Sequence, residues 1–487
     1  MGEYIFGSHI LESLTTGMYQ DSRMIFREYI QNACDAIDSA VEIGLLSDKD
    51  EGIIDVNINR KKRKITIKDN GTGIKSSEFA RVLSNIADSD KKAGIDKGFR
   101  GIGRLCGLAY CEKLIFTAKF AGEKVISKLV CDAELMRELI IGSANAEHDT
   151  EKRYTASEVL NFMNEFTFSE DKEKEEQEES ENIDEHYFIV ELVNINNENT
   201  DLLDYDGVKN YLAFTVPLPY SITFSPYRSR IREYAAKLGF VIDEYNIFLN
   251  DEQLFKPYTV NFMTGRGKGR AGDEIIDLEF ENFRDVNNNI IAWLWLGVSH
   301  FRGVISEECL MRGIRIRKEN IQIGDADTLQ RFFSESRGHH YFIGELFCVA
   351  KDLIPNSQRD YFNENKLRVE LEYQISHYCA TLSRVYHGGS KLNKLIATPD
   401  EAAKNALEIE KLRNSHDIIK RIIQDYEEKK ERETEPAERI ITIHSVPARK
   451  YSKKELRLLG KVFGVINSSL DSETAYELIN KIKDVLE

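Results

Sequence analysis

Residues 23–41 read RMIFREYIQNACDAIDSAV, residues 64–74 read KITIKDNGTGI and residues 98–103 read GFRGIG. In the first stretch Ile30, Cys34, Ile37 and Val41 recur at helical spacing and make an apolar stripe. Glu28, Asn32 and Asp35 fall on the opposite side, where a turn of about 100° per residue brings them within about 60° of one another. Taken alone, such an acid and amide face also suits a solvated helix surface.

The second stretch ends a hairpin. Residues 53–58 and 64–68 alternate apolar and polar positions across a Lys-Lys-Arg turn, which predicts two short strands. The second strand delivers Asp69 into a turn containing Gly71 and Gly73, where glycine permits positive φ and close approach of backbone to a ligand. A carboxylate there can accept a hydrogen bond from an exocyclic amino group such as adenine presents, although a DG turn also closes ordinary hairpins. In the third stretch Gly98, Gly101 and Gly103, with Gly107 one turn later, precede an apolar helical segment. Small residues at a helix start let successive N–H groups face phosphate oxygens. The spacing is neither that of a Walker loop nor that of a GxGxxG turn in a βαβ unit.

In this order and spacing the three elements resemble the GHKL ATPase superfamily of gyrase B, heat-shock-protein-90 chaperones, histidine kinases and MutL. The motifs read ExxxNxxDA from Glu28 to Ala36, DNGTGI from Asp69 to Ile74 and GFRGIG from Gly98 to Gly103. The resemblance covers residues 1 to about 215. It implies an α+β fold whose N-terminal part is a Bergerat-type sandwich of helices on a mixed sheet. It also implies roles. Glu28 is the general base for water attacking the γ-phosphate, Asn32 the side-chain ligand of Mg²⁺, and Asp35 a support at the nucleotide edge. Asp69 recognises adenine, Gly73 shapes its pocket, Gly101 and Gly103 cradle phosphates, and Gly71, Gly98 and Ile102 join the nucleotide-binding set. Residues 76–97 form a lid, with Asn85 and Lys91 as candidate contacts or plain surface residues. ATP and Mg²⁺ are the implied ligands.

Residues 353–360, LIPNSQRD, are similar to the PLNxSRE segment in the middle domain of heat-shock-protein-90 chaperones. That likeness implies that Arg359 contacts the γ-phosphate and that Asn356 orients its loop. GFRG and DNGTGI look more like MutL, and the Gly-Thr that usually precedes the last pocket strand has no counterpart near residues 186–188. The second adenine contact therefore stays unassigned.

A chain of 487 residues suggests several domains. The expected division is residues 1–215 for the ATP-binding domain, with an insertion at about 133–185, residues 216–380 for an αβ middle domain, and residues 381–487 for a helical region. Strands are expected near residues 245–249 in the middle domain, a coiled-coil-like segment at 402–432 and a helical pair at 453–486. The net charge of −16 argues against a nucleic-acid coat, and residues 170–185 alone hold ten acids against two lysines, the mark of a solvated loop. Residues 312–318 predict an amphipathic strand with outward arginines. The seven cysteines include no CxxC pair and read as buried reduced thiols. No signal segment or bilayer-length apolar run is seen, so a cytoplasmic location is expected.

An N-terminal ATPase motif disfavours a histidine kinase, and gyrase B would need an acidic metal-binding domain that residues 381–487 lack. The reading is a heat-shock-protein-90-like, Mg-dependent ATPase that closes on a protein client or partner, with the helical tail holding a homodimer. Two alternatives stand beside it. One is a MutL- or MORC-like nucleic-acid clamp using Arg266, Lys268 and Arg270, disfavoured by net charge. The other is an ATP-gated scaffold with little turnover.

Overall fold

A computed structural model describes residues 6–15, 17, 21–86, 103–144, 153–170, 185–434 and 478. Lys91, Gly98, Gly101 and Ile102, most of the acidic stretch and the expected pair at 453–486 lie outside the described residues.

The first half builds one eight-stranded mixed sheet. In chain order its elements begin with α1 (His9–Leu14), α2 (Met24–Glu42), β1 (Ile53–Asn59), β2 (Lys64–Asp69) and α3 (Ser76–Ser84). There follow β3 (Cys111–Lys119), β4 (Val125–Asp132), α4 (Ala133–Ala144), α5 (Ala156–Met163), β5 (Asn164–Glu170), β6 (Tyr187–Ile195) and α6 (Tyr205–Thr215). Beyond α7 (Ser225–Lys237), β7 (Asn246–Leu249) and β8 (Glu252–Gln253) complete it in the order β5-β4-β3-β6-β2-β1-β7-β8. The pairing register lines up Val56, Ile67, Val190, Phe116 and Leu129 as one cross-strand row. These five are buried, and α2, α4 and α5 contribute to the same core. Because side chains alternate along a strand, Asp69 lies on the same face of β2 as buried Ile65 and Ile67.

Two expectations need correction here. The strand near 245–249 belongs to the first sheet: β7 runs parallel to β1, with Ile54 opposite Ile247 and Val56 opposite Leu249. The stretch at 133–185 is only partly an insertion, since α4 and α5 pack into the core and β5 is the sheet's edge strand.

The second sheet is formed by β9 (Asn261–Thr264), β10 (Ala271–Arg284), β11 (Ile290–Ser299), β12 (Gly313–Lys318), β13 (Ile321–Ile323) and β14 (Ile343–Cys348), ordered β13-β12-β14-β11-β10-β9. Both its faces are covered, which makes β11 continuously apolar. Leu294, Leu296 and Val298 join a core with α8 (Lys366–Leu395), while Trp293 and Trp295 join one with α7. The expected boundary at 380/381 falls inside α8. After α9 (Pro399–Lys404), the helices α10 (Ala406–Arg413) and α11 (Asp417–Thr434) follow, and Ile418, Ile419, Ile422 and Ile423 of α11 enter the core under α8. The segment expected as a coiled coil therefore covers this domain.

The expectation of outward arginines at 312–318 fails. Arg317 is fully buried and Arg315 nearly so. Arg317 ion-pairs with buried Glu345 and donates to the Phe214 carbonyl at the end of α6, while Lys256 Nζ lies 2.9 Å from Glu345. Burial alone would raise the Glu345 carboxyl, but the Arg317 and Lys256 cations prevail and hold it at about 2. The arginines do alternate along the strand, but Tyr220, Tyr258 and α6 close the face where solvent is expected.

Candidate nucleotide site

The site is built on α2. Gly44, at φ 77°, ends this helix, and the Leu45 N–H returns to the Ala40 carbonyl at 2.8 Å. The helix is buried on almost every side, and Arg27, Glu28, Gln31 and Asp35 are buried with its apolar residues. A polar set is thus held out of water, unlike an ordinary solvated face. Asn32 is half-buried and has no side-chain hydrogen bond among the described residues.

The turn after β2 docks against the C-terminal half of α2. Asp69 Oδ1 accepts the Gly71 N–H at 2.9 Å, and the Thr72 N–H donates to the Ala36 carbonyl at 3.3 Å. A Cβ at Gly71 would stand 2.5 Å from Ala36 Cβ, and one at Gly73, φ 64°, would stand 2.0 Å from the Lys119 carbonyl oxygen. Glycine at both positions is therefore required by the protein's own backbone and by α2. The neighbouring Asn70 closes the hairpin, accepting the Ile53 N–H at 2.6 Å and donating to the Glu51 carbonyl at 2.9 Å.

On the other side of Glu28 lies the end of the third motif. Gly103 sits so close that a Cβ would meet Glu28 Oε2 at 2.5 Å. Tyr29 anchors the turn beyond Gly103: its hydroxyl accepts the Gly107 N–H and donates to the Arg104 carbonyl, both at 3.0 Å. Arg104 donates to the backbone carbonyl of Asn85, joining the glycine segment to the end of α3. Burial lowers the Arg104 guanidinium to about 10.

The second domain supplies Arg359. Its Nε lies 3.0 Å from Glu28 Oε1, with both side chains under a tenth exposed, and Arg27 approaches the same oxygen at 3.6 Å. The tight loop that carries it is pinned. Asn356 N–H donates to the Tyr361 carbonyl at 2.9 Å, Asn356 also reaches Asp360 through its side chain, and the Gly324 N–H holds the Arg359 carbonyl at 2.9 Å. Arg359 itself adopts φ 55°, a left-handed conformation uncommon for a bulky side chain.

The structure thus brings together Glu28, Asn32, Asp35, Asp69, Gly71, Gly73, Gly103 and Arg359 around one helix, with Asn85 tied in through its carbonyl. Sequence reading missed Arg27, Tyr29 and His186. The His186 ring donates from Nδ1 to the Gly71 carbonyl at 2.6 Å, bracing the Asp69 turn at the position where no Gly-Thr was found. The adjacency of Arg27 to Glu28 was a visible signal; the other two depend on pairings between distant segments. The arginines proposed for nucleic acid are neutralised: Arg266 pairs with Glu307 and Arg270 with Glu308.

Comparison with known proteins reaches the part of this site built on α2 and β2. Residues 21–159 match the family described as histidine kinase-, DNA gyrase B- and HSP90-like ATPase. Among curated proteins, the chaperone protein HtpG of Halalkalibacterium halodurans is 31% identical over 130 residues, covering 24% of this chain and 21% of that relative. HtpG of Fusobacterium nucleatum is 30% identical over 127 residues (23% and 21%), and that of Wolinella succinogenes 24% over 134 residues (24% and 22%). Residues 21–159 are thus similar to GHKL-type ATPase domains, and a stretch of about 130 residues is similar to the chaperone protein HtpG. The matched stretch spans only about a fifth of the length of these relatives. Among the described residues no helix is long and apolar enough to cross a membrane.

Proposed function

We propose that the protein is a Mg²⁺-dependent ATPase that couples nucleotide binding and hydrolysis to movement of its second domain against the first, acting on a protein client or partner as a homodimer in the cytoplasm. The carrying observation is the Arg359–Glu28 contact at 3.0 Å, because it joins the second domain to the helix that carries the motif residues. Glu28 takes the proton of the attacking water, a contribution of about 10²–10⁴-fold to the rate. Arg359 exchanges the carboxylate for the γ-phosphate and meets the charge that develops there. Asp69 receives the adenine amino group, and Asp35 supports the nucleotide edge of the helix. The half-buried Asn32 amide, one turn beyond Glu28, offers the oxygen donor that a hard cation takes. When bound, Mg²⁺ offsets phosphate charge. Seven free cysteines, six of them buried, accord with a reducing compartment.

The test is nucleotide binding and steady-state hydrolysis by the full chain with Mg²⁺. Glu28→Ala should bind ATP but hydrolyse it about 10²-fold more slowly or worse, and Arg359→Ala should lose about 10²–10³-fold in kcat. No ATP affinity, or Asp69→Asn binding as well as wild type, would refute the assignment. Equal turnover in wild type and Glu28→Ala would remove the catalytic role alone. Sedimentation with a non-hydrolysable analogue reports the dimer.

A further inference from the structure

A second cluster lies in the second domain and shares no residue with the nucleotide site. After β13 the chain makes a tight turn in which the Asp327 N–H donates to Asp325 Oδ1 at 2.9 Å and the Gln330 N–H to the Asp327 carbonyl at 2.8 Å. Opposite stands the short 3₁₀ turn Ser336–Tyr341, which presents His339 and His340 side by side. Asp327 Oδ1 lies 2.9 Å from His340 Nε2 and 3.8 Å from His339 Nδ1, and the three ligand atoms all fall within 4.8 Å of one another. Around a tetrahedral zinc ion such atoms sit about 3.3 Å apart. The widest gap therefore needs to close by at most about 1.5 Å, through the exposed Asp327 and the half-buried His340.

The deciding atom is His339 Nδ1. The ring is wholly buried, yet among the described residues this nitrogen has no hydrogen-bond partner, and it faces the Asp327 carboxylate. A buried polar atom left in that condition calls for an occupant. We infer that Asp327, His339 and His340 form a binding site for a divalent cation of the zinc class, with a fourth position open to water or a further ligand. Two imidazoles and one carboxylate select zinc, cobalt or nickel over magnesium or calcium.

Binding has a tautomeric consequence. The Ile314 N–H donates to His339 Nε2 at 2.9 Å, which places the ring proton on Nδ1. Metal at Nδ1 displaces that proton, and Nε2 then carries one that faces the Ile314 carbonyl at 3.4 Å. The proton leaving Nδ1 is matched by the one gained at Nε2, so the ring stays neutral with no net proton released, and one buried hydrogen bond is exchanged for metal–ligand bonds. Nearby Arg315 opposes a cation, but its guanidinium is tied to the carbonyls of Arg312 and Leu310.

The experiment is a Co²⁺ titration of the chelator-treated full chain followed by visible absorption, with Zn²⁺ binding measured by calorimetry, in the absence of nucleotide. One equivalent should bind with a nitrogen and oxygen spectrum, and excess Mg²⁺ should not compete. His340→Ala and Asp327→Asn should each weaken binding about 100-fold or more, while circular dichroism stays unchanged. No binding by wild type, equal binding by both variants, or a thiolate-to-cobalt charge-transfer band from the cysteines would overturn the assignment. Nucleotide is absent throughout, so the result stands apart from the ATPase reading.

Discussion

Removing the guanidinium of Arg359 tests the contact that joins the two domains. Arg359 and Glu28 are 3.0 Å apart with side-chain exposures of 9% and 7%, so solvent screens the pair little. In Arg359→Ala the carboxylate stays buried, and Arg27 is still 3.6 Å from it. Breaking a buried pair by deleting one partner costs about 3–5 kcal/mol; with Arg27 still close we expect the lower end, about 3 kcal/mol. The backbone separates a second effect. Arg359 holds φ 55°, so Arg359→Gly loses the same charge while relieving left-handed strain, and should be more stable than Arg359→Ala by about 1 kcal/mol. Glu28→Gln alone should also destabilise, and the double variant Glu28→Gln/Arg359→Ala should recover about 2 kcal/mol against additivity. Urea unfolding without nucleotide, followed by circular dichroism and by fluorescence of Trp293 and Trp295, both in the second domain, gives the four free energies. Additivity within about 0.5 kcal/mol would refute the pair and with it the contact between domains.

Gly73→Ala should destabilise the first domain by well over 1 kcal/mol, roughly the cost of positive φ alone, because its Cβ would lie 2.0 Å from the Lys119 carbonyl; Gly122→Ala, φ 81° with open space around it, should show only the φ cost in thermal unfolding. Tyr29→Phe leaves the Gly107 N–H and Arg104 carbonyl unpaired and should lose about 1–3 kcal/mol, read as a lower urea midpoint; an unchanged midpoint would show that the hydroxyl does not anchor this segment. Burial pushes His339 down to about 4. Between its ordinary value of about 6.5 and 4 the unfolded chain binds the extra proton, so stability falls as pH drops through that window, by up to about 3 kcal/mol. His339→Gln, measured with chelator present, should flatten that slope, and an unaltered pH dependence would contradict the assignment.

The helix carrying Glu28, Asn32 and Asp35, the hairpin ending at Asp69 and the strands flanking it were legible because each rests on residues within one or two turns of one another. Periods of 3.6 and 2 survive whatever the rest of the chain does. The three motifs also carried the resemblance that the family match then supported over residues 21–159. Register and layering were not legible. Nothing local told β7 to join the first sheet beside β1, or told α11 to cover α8, since an apolar strand or helix face fits any complementary core. Arg317 shows the same limit from the other side: alternating arginines read as solvent-facing until Glu345, Lys256 and the Phe214 carbonyl, all distant in sequence, supply its partners. The sequence by itself thus put Glu28, Asn32 and Asp35 on one helix face and Asp69 at the end of a hairpin, as candidates for the nucleotide site. Only the tertiary structure decided that Arg359 meets Glu28 and that Asp327 meets two histidines, because long-range contacts are fixed by packing and charge balance across segments that local pattern cannot connect.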